Sequence, residues 1–374
     1  MAYSKTLCIS SDSHVVEPQD AFAGLEKRFG DKAPKIIRNA DGDWLDLGNG
    51  KLGFGIGLSL VAGHDPGAPE VKEMAKKGFD IARPGVLNPV ERIKDQELDG
   101  IAAEVLYPTA LFLVHSNLDD LEIKKATLAN YNDWLVNYCN QAPGRLFPLA
   151  VVQLDDLDEG IAEMERMAKK GAVGTCIPAT APPELPYTDS YYDKFFAAAQ
   201  ELEMPLALHV FTGRTANHGL PNWGRQNYTM AFAGICRSIM DIIWGGVCEK
   251  FPGLVFVPTE FETGWTAHFL QRFDWGWHRA GGLREFSGVM SMKPSEYWHR
   301  NFRITFEDDE IGIRTRDIIG VDNLMWGNDY PHGDSVFPDS QGVLNRIFAG
   351  VPDDERYKIT AVNVCKLYNL PFEY

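Results

Sequence analysis

The 374-residue chain carries 36 lysines and arginines against 52 aspartates and glutamates, a formal net charge of −16 at pH 7. This acidic balance argues against nucleic acid and anionic membrane surfaces as partners. No apolar run is long enough to span a bilayer and no signal-peptide pattern opens the chain, so we expect a cytoplasmic protein. The six cysteines are scattered without a C-x-x-C pair and are expected to be reduced and buried.

The chain begins with a short apolar run at 7–9 that predicts a buried strand. Residues of about 18–87 lack a regular pattern, apart from glycines at 48–50 that suggest a hairpin. A long irregular insertion of this kind is typical of a functional loop. We therefore predict a cap or lid inserted after the first strand.

From Asn88 onward, strand-like and helix-like patterns alternate. Seven further apolar strands are predicted at 101–107, 147–154, 173–177, 205–210, 254–257, 303–306 and 323–327. Helices are predicted at 89–98, 119–140, 158–170, 189–202, about 228–250, from strand six to about 278, 309–319, 341–348 and 352–367. Eight short, continuously apolar strands that alternate with helices predict one domain, 1–374, with a (β/α)8 TIM barrel; an open doubly wound sheet is the alternative.

Polar side chains stand at the ends of four predicted strands. Asp12 and His14 are two residues apart, so an extended backbone presents both on one face. The others are His209 near the end of strand five, Glu260 after strand six, and Asp329 and His332 after strand eight. Each has an ordinary structural explanation by itself, such as a buried histidine on a carbonyl or an acid in a turn. Together they predict a site, because the carboxyl ends of barrel strands meet at one mouth.

These motifs together resemble the amidohydrolase superfamily, and within it the amidohydrolase-2 branch of aminocarboxymuconate-semialdehyde decarboxylase-like enzymes. The resemblance rests on Asp12-Ser13-His14, His209, Phe251-Pro252-x-Leu254, Glu260-x-x-x-Gly264-Trp265, Gly327-Asn328-Asp329-Tyr330-Pro331-His332 and the tail at 363–368. It implies a divalent metal on Asp12, His14, His209 and Asp329, and a homodimer. The chain departs from the decarboxylases of this branch at two places: Asp12 stands where their first ligand is usually His or Glu, and Glu260 stands where they carry a catalytic His.

A mixed set of carboxylates and imidazoles favours Zn²⁺, Mn²⁺ or Fe²⁺ over a thiolate-bound structural zinc. We expect one ion, or two if Glu260 and His332 complete a second site. One ion would acidify a bound water that attacks a polarised carbonyl. Asp329 would then take and return the proton, with Glu260 as a second base or a substrate-orienting group.

The leading hypothesis is therefore a metal-dependent hydrolase of a small cyclic or aromatic molecule. The alternatives are a metal-dependent decarboxylase of an aromatic or enoic acid, a dinuclear non-haem iron oxygenase, and an inactive barrel that serves as a scaffold. Candidate substrate-binding residues are Arg214, His218, Trp223 and Trp265, although core or interface packing is the favoured explanation for the tryptophans.

Overall fold

The computed structural model describes residues 7–213, 226, 228–279 and 290–374. Its strands, in chain order, are β1 (Ile9–His14), β2 (Lys35–Asn39), β3 (Gly42–Asp46), β4 (Leu52–Gly55), β5 (Ala103–Tyr107), β6 (Leu146–Val151), β7 (Gly174–Thr180), β8 (Leu206–Gly213), β9 (Phe256–Thr259), β10 (Ile304–Phe306) and β11 (Leu324–Trp326). Each strand predicted from the sequence has a counterpart in this set, and only the bounds differ.

Eight of these strands form a parallel barrel. The order β1-β5-β6-β7-β8-β9 is hydrogen-bonded throughout, and β10 pairs in parallel with β11. Between β9 and β10, Phe256 and Phe302 form an isolated parallel bridge. Between β11 and β1, the Ser11 hydroxyl donates to the Trp326 carbonyl at 2.9 Å. These contacts close the ring, so the predicted (β/α)8 barrel is confirmed.

Helices cover the outside of the barrel and alternate with its strands. The α-helices among the described residues are Leu25–Phe29, Pro69–Ala75, Pro84–Leu87, Pro89–Asp99, Phe112–Asn117, Leu121–Cys139, Leu157–Lys169, Asp193–Glu201, Ala231–Trp244, Val247–Lys250, Thr266–Arg279, Pro294–Asn301, Glu310–Arg314, Arg316–Ile319, Ser340–Ile347, Asp353–Tyr357 and Asn363–Leu367. The helix Pro89–Asp99 shows why the sequence predicts its ends. The Asn88 side chain accepts hydrogen bonds from two first-turn amides, and Gly100 closes the helix in the left-handed conformation.

The first strand is longer than the apolar run that predicted it. β1 extends through His14, and every one of its residues is buried. Its polar residues tolerate burial because they bond to neighbours in the barrel: Ser13, for example, donates to the Asn328 side chain at 2.8 Å. Hydrophobic periodicity cannot detect a strand of this kind, because its polar side chains find their hydrogen-bond partners only in the folded barrel.

The insertion after β1 has its own small antiparallel sheet, in the order β2-β3-β4. The predicted hairpin lies between β3 and β4 and is confirmed. Its turn requires a glycine at position 48, because φ is +106° and a Cβ there would lie 2.3 Å from the Lys32 carbonyl oxygen. The insertion also contacts the loop after β11, where the Gly333 amide donates to the Leu58 carbonyl at 3.1 Å. A role for 18–87 as a lid stays a prediction.

Within the described ranges, no helix combines the length and apolar character needed to cross a membrane. The six cysteines are unpaired, and five of them are buried. The barrel interior and the strand–helix interfaces form two large apolar clusters, so the polar strand-end residues stand out against an otherwise hydrophobic interior.

Candidate metal centre

The six candidate ligands converge at one mouth of the barrel. β1 supplies Asp12 and His14, and β8 supplies His209. Glu260 directly follows β9, while Asp329 and His332 lie in the loop after β11. Two overlapping groups have ligand atoms close enough to share an ion: Asp12, His14 and His209, and His14, Glu260, Asp329 and His332. The structure therefore brings these predicted strand-end residues close together at one mouth of the barrel.

Nitrogen and oxygen atoms crowd around the His14 ring. Its Nε2 lies 3.2 Å from His209 Nε2, 3.3 Å from Asp329 Oδ1, 3.5 Å from Glu260 Oε2 and 3.6 Å from Asp12 Oδ1. His209 Nε2 lies 3.1 Å from Glu260 Oε2. Ligands bonded to one zinc ion at 2.0–2.2 Å lie roughly 3 Å apart. The separations of these atoms fit a single cation among them.

Backbone carbonyls orient both imidazole rings. The other ring nitrogen of His14, Nδ1, lies 2.7 Å from the Pro108 carbonyl oxygen. That of His209 lies 3.0 Å from the Val210 carbonyl oxygen. A carbonyl oxygen only accepts, so each Nδ1 carries the hydrogen, and Nε2 of each ring, when it is unprotonated, turns its lone pair toward the centre. This is how ligand histidines are held in metal sites.

Each of the three carboxylates at the centre has at least one oxygen without a hydrogen-bond donor among the described residues. In the described part of the chain, Asp12 Oδ1, Glu260 Oε2 and Asp329 Oδ2 are buried and accept no hydrogen bond. A buried anion without a donor or a counter-ion costs several kcal/mol or more, so folded proteins rarely keep one. Three such oxygens that face two imidazole lone pairs form a set of acceptors, and a divalent cation satisfies all of them together.

Two of the acids stand on strained backbone. Glu260 and Asp329 have φ of 62° and 55°, the left-handed region that residues other than glycine seldom adopt. Neighbouring strands hold both: the Glu260 amide donates to Thr305 Oγ1 at 3.0 Å, and the Asp329 amide donates to the Asp12 carbonyl at 2.9 Å. Strain of this kind costs about 1–3 kcal/mol per residue and is concentrated at functional sites.

The pKa values at the centre show an excess of negative charge. Burial, with smaller opposing and reinforcing effects of its neighbours, raises the pKa of Asp329 to about 7. Burial and the nearby His332 lower the pKa of His14 to about 4. Burial also disfavours the charged form of His209, but Glu260 and Asp12 outweigh it and raise its pKa to about 10. A bound cation would replace the proton that the acids otherwise impose on His209.

His332 contacts the centre from the side of the β11 loop. Its Nδ1 lies 2.8 Å from Asp329 Oδ1, and its Nε2 lies 2.8 Å from Thr109 Oγ1. The Thr109 hydroxyl has one hydrogen, which it donates to the Val15 carbonyl at 2.8 Å. It must therefore accept the hydrogen bond from His332, so His332 Nε2 is protonated and Nδ1 faces Asp329.

Arg92 supports the backbone of the centre through buried hydrogen bonds, and the sequence does not indicate this role. This fully buried guanidinium donates to the carbonyls of His14 at 2.7 Å and Tyr330 at 3.2 Å, and pairs with Glu104 at 2.6 Å. It thus joins the backbone of β1 to the residue after Asp329. An arginine in a predicted helix looks like any solvent-exposed basic residue, so no local signal distinguishes it.

A cavity of about 770 Å³ opens beside the centre. Glu260 and Trp265 line it, so the structure places one of the predicted substrate-binding residues next to a predicted ligand. The other three, Arg214, His218 and Trp223, lie outside the described residues. The rest of the described lining combines acidic and aromatic residues with small and aliphatic ones.

Comparison with known proteins agrees with this architecture. Residues 107–370 match the protein-family model described as amidohydrolase. The fold is similar to that of the amidohydrolase map2389c from Mycobacterium avium subsp. paratuberculosis K-10, with 20% identity, a TM-score of 0.77 and coverage of 100% of this chain and 99% of that chain. It is also similar to 5-carboxyvanillate decarboxylase LigW from Sphingomonas paucimobilis, with 20% identity, a TM-score of 0.70 and coverage of 98% and 99%.

A third similar structure is a 5-carboxyvanillate decarboxylase from Novosphingobium aromaticivorans, with 18% identity and a TM-score of 0.66. The match covers 97% of this chain and 96% of that one, which was solved with manganese and 4-hydroxy-3-methoxy-5-nitrobenzoic acid. At these identities the likeness establishes a common fold.

Proposed function

The chain belongs to the amidohydrolase family, and from this premise we propose that it is a metal-dependent decarboxylase of an aromatic or enoic acid. The observation that carries the proposal is the set of buried acceptors without donors: Asp12, Glu260 and Asp329 face the lone pairs of His14 and His209. Two of the similar structures are decarboxylases of an aromatic acid, and one of these holds manganese. This favours decarboxylation over the hydrolysis that the sequence alone put first.

We assign one divalent ion, Mn²⁺ or Zn²⁺ before Fe²⁺, to Asp12, His14, His209 and Asp329. The two overlapping ligand groups share His14, whose Nδ1 is occupied by the Pro108 carbonyl. A single Nε2 serves one ion, which argues for one centre rather than two. Such an ion supplies positive charge that binds the carboxyl group of the substrate and stabilises negative charge as its bond breaks.

The protein's own part is to move a proton. In decarboxylation the bond from carbon to the carboxyl group breaks, CO₂ leaves, and the carbon takes up a proton. We assign proton donation to Asp329, which is buried and paired with His332, and substrate orientation to Glu260. Asp329→Asn keeps the shape of the side chain but removes its acid function, so we expect turnover to fall below detection while the fold, measured by circular dichroism, stays intact.

Hydrolysis is the second candidate, and one observation favours it. Glu260 stands where decarboxylases of this branch carry a histidine, and a carboxylate beside a metal is suited to accept a proton from water. An oxygenase with two irons is the third and would need His332 in a second site.

The test is a substrate panel with the metal-loaded enzyme. Hydroxybenzoates and enoic acids are scored for CO₂ release, matched esters, amides and lactones for hydrolysis, and both sets for O₂ consumption. We expect CO₂ release that chelation abolishes and added Mn²⁺ restores. Hydrolysis without any CO₂ release would overturn the proposal in favour of the second candidate, and O₂ consumption with two bound irons would favour the third.

A further inference from the structure

The cavity beside the metal centre has an unusual lining. Its acidic members are Glu260, Glu262, Glu307, Asp308, Asp309 and Asp334, and its aromatic members are Phe211, Tyr228, Phe232, Phe261 and Trp265. Among the lining residues that the structure describes, there is no lysine, arginine or histidine. An acidic cluster can be purely structural, so each carboxylate must first be checked for a partner.

Three of these acids have partners. Asp309 accepts from the amides of Thr263 and Gly312 at 2.6 and 2.8 Å, and so caps two chain segments. Asp308 pairs with Arg346 at the surface. Asp334 accepts from the Tyr228 hydroxyl at 2.7 Å. The structure therefore explains these three side chains without a ligand.

Glu307 has no such explanation. It is only 9% exposed, it lines the cavity, and none of the described residues donates a hydrogen bond to its carboxylate. Burial and the nearby Asp329 and Glu262 raise its pKa well above the ordinary range. Glu262 is exposed at the rim, and its Oε2 accepts one long hydrogen bond of 3.4 Å from the Glu307 amide. A carboxyl group buried without a donor or a cation keeps its proton, and a ligand that supplies positive charge would let it ionise in place.

The spacing of these acids argues for an organic cation rather than a second metal ion. Among the described residues, neither Glu262 nor Glu307 belongs to a group whose ligand atoms are close enough to share an ion. An ammonium group is wider and binds both carboxylates and aromatic rings. Trp265 and Phe232 provide such a wall: their rings stack with centroids 5.9 Å apart at 21°, and the Trp265 indole N–H is already bonded to the carbonyls of Phe261 and Glu262.

We propose that this cavity binds the cationic group of the substrate, a protonated aliphatic amine or a quaternary ammonium, between Glu262, Glu307 and the wall formed by Trp265 and Phe232. The inference rests on the proposed function for the other end of the substrate, since the carboxyl group would be held at the metal centre. The substrate class is then a zwitterionic acid whose cationic group lies away from the bond that breaks.

The test measures binding by titration calorimetry on the manganese-loaded enzyme. The probes are benzylammonium and benzyl alcohol, which are close in size and differ in charge. We expect benzylammonium to bind at least about tenfold more tightly than benzyl alcohol, and Glu307→Gln to remove that preference. Asp308→Asn makes the same charge change at the same cavity on a residue with its own partner, and should alter the preference less than about threefold.

Equal affinities for benzylammonium and benzyl alcohol, or an undiminished preference in Glu307→Gln, would each overturn the inference. Glu262→Gln serves as the second variant if Glu307→Gln does not fold. The proposed function is tested separately, by measuring CO₂ release by the same metal-loaded enzyme. If the enzyme prefers benzylammonium but releases CO₂ from no acid, the proposed function is contradicted and the charge preference of the cavity stands. If the enzyme releases CO₂ but shows no preference for benzylammonium, only the inference is contradicted.

Discussion

At the residue scale, one backbone carbonyl oxygen fixes the orientation of each of the two central imidazole rings. The Pro108 and Val210 carbonyls occupy Nδ1 of His14 and His209, so both Nε2 lone pairs are turned toward the buried acids. Neither carbonyl is recognisable in the sequence as part of a site. The chemistry of the centre thus depends on backbone groups as much as on the side chains that the motifs indicate.

Removing one imidazole should release the metal. In His209→Ala we expect at least a tenfold loss of metal affinity, because one of the four assigned ligands is lost. The thermal unfolding temperature of this variant should no longer rise when Mn²⁺ is added, since the ion stabilises only a native state that binds it. Differential scanning fluorimetry with and without Mn²⁺ measures this. His268→Ala, a change at an exposed histidine, is the control and should keep the shift; a full shift in His209→Ala would remove this residue from the site.

Thr109 fixes the tautomer of His332 through one hydroxyl. Thr109→Val should lower kcat by about tenfold or more without loss of bound metal, because His332 then loses the acceptor for Nε2–H and no longer stays aligned with Asp329. Thr109→Ser keeps the hydroxyl and should retain activity. ¹⁵N shifts of His332 would report the tautomer directly. If Ser and Val lower kcat equally, the hydroxyl is not what matters at this position.

At the scale of elements, one fully buried guanidinium connects the end of β1 to the loop after β11. Arg92 reaches from the helix Pro89–Asp99 to the backbone on both sides of the centre, and Glu104 on β5 neutralises it. Three elements thereby share one buried ion pair. Such a pair contributes little net stability when intact, but it fixes how the elements fit together, and breaking it leaves a buried charge.

Arg92→Met should therefore destabilise the fold strongly. We expect a loss of about 3–5 kcal/mol in the free energy of unfolding, because Glu104 is left buried and unpaired. Urea denaturation followed by circular dichroism measures the change. Arg346→Met removes an arginine from an exposed pair with Asp308 and should have no measurable effect. A similar stability for the Arg92 variant and the wild type would contradict the role of this residue as a brace.

Across the whole molecule, the barrel was predictable and the supports of its site were not. Eight strands could be recognised because parallel barrel strands are buried on both faces and read as short apolar runs, as at 206–208 and 254–257. Strand-end ligands such as His209 and Asp329 were found because they interrupt those runs. Arg92, Thr109 and Glu307 were missed because their significance lies in contacts with residues far away along the chain. For the same reason, the apolar run at 7–9 marks only the start of β1.

Metal content tests the central claim of this account most directly. The claim is that Asp12, His14, His209 and Asp329 bind one divalent cation, and elemental analysis of protein purified from cells grown without added metal measures its amount and identity. We predict close to one equivalent of manganese or zinc per chain in the wild type and a small fraction of that in His209→Ala. Wild-type protein without bound metal that also fails to take up Mn²⁺ or Zn²⁺ after chelation and reloading would contradict the account.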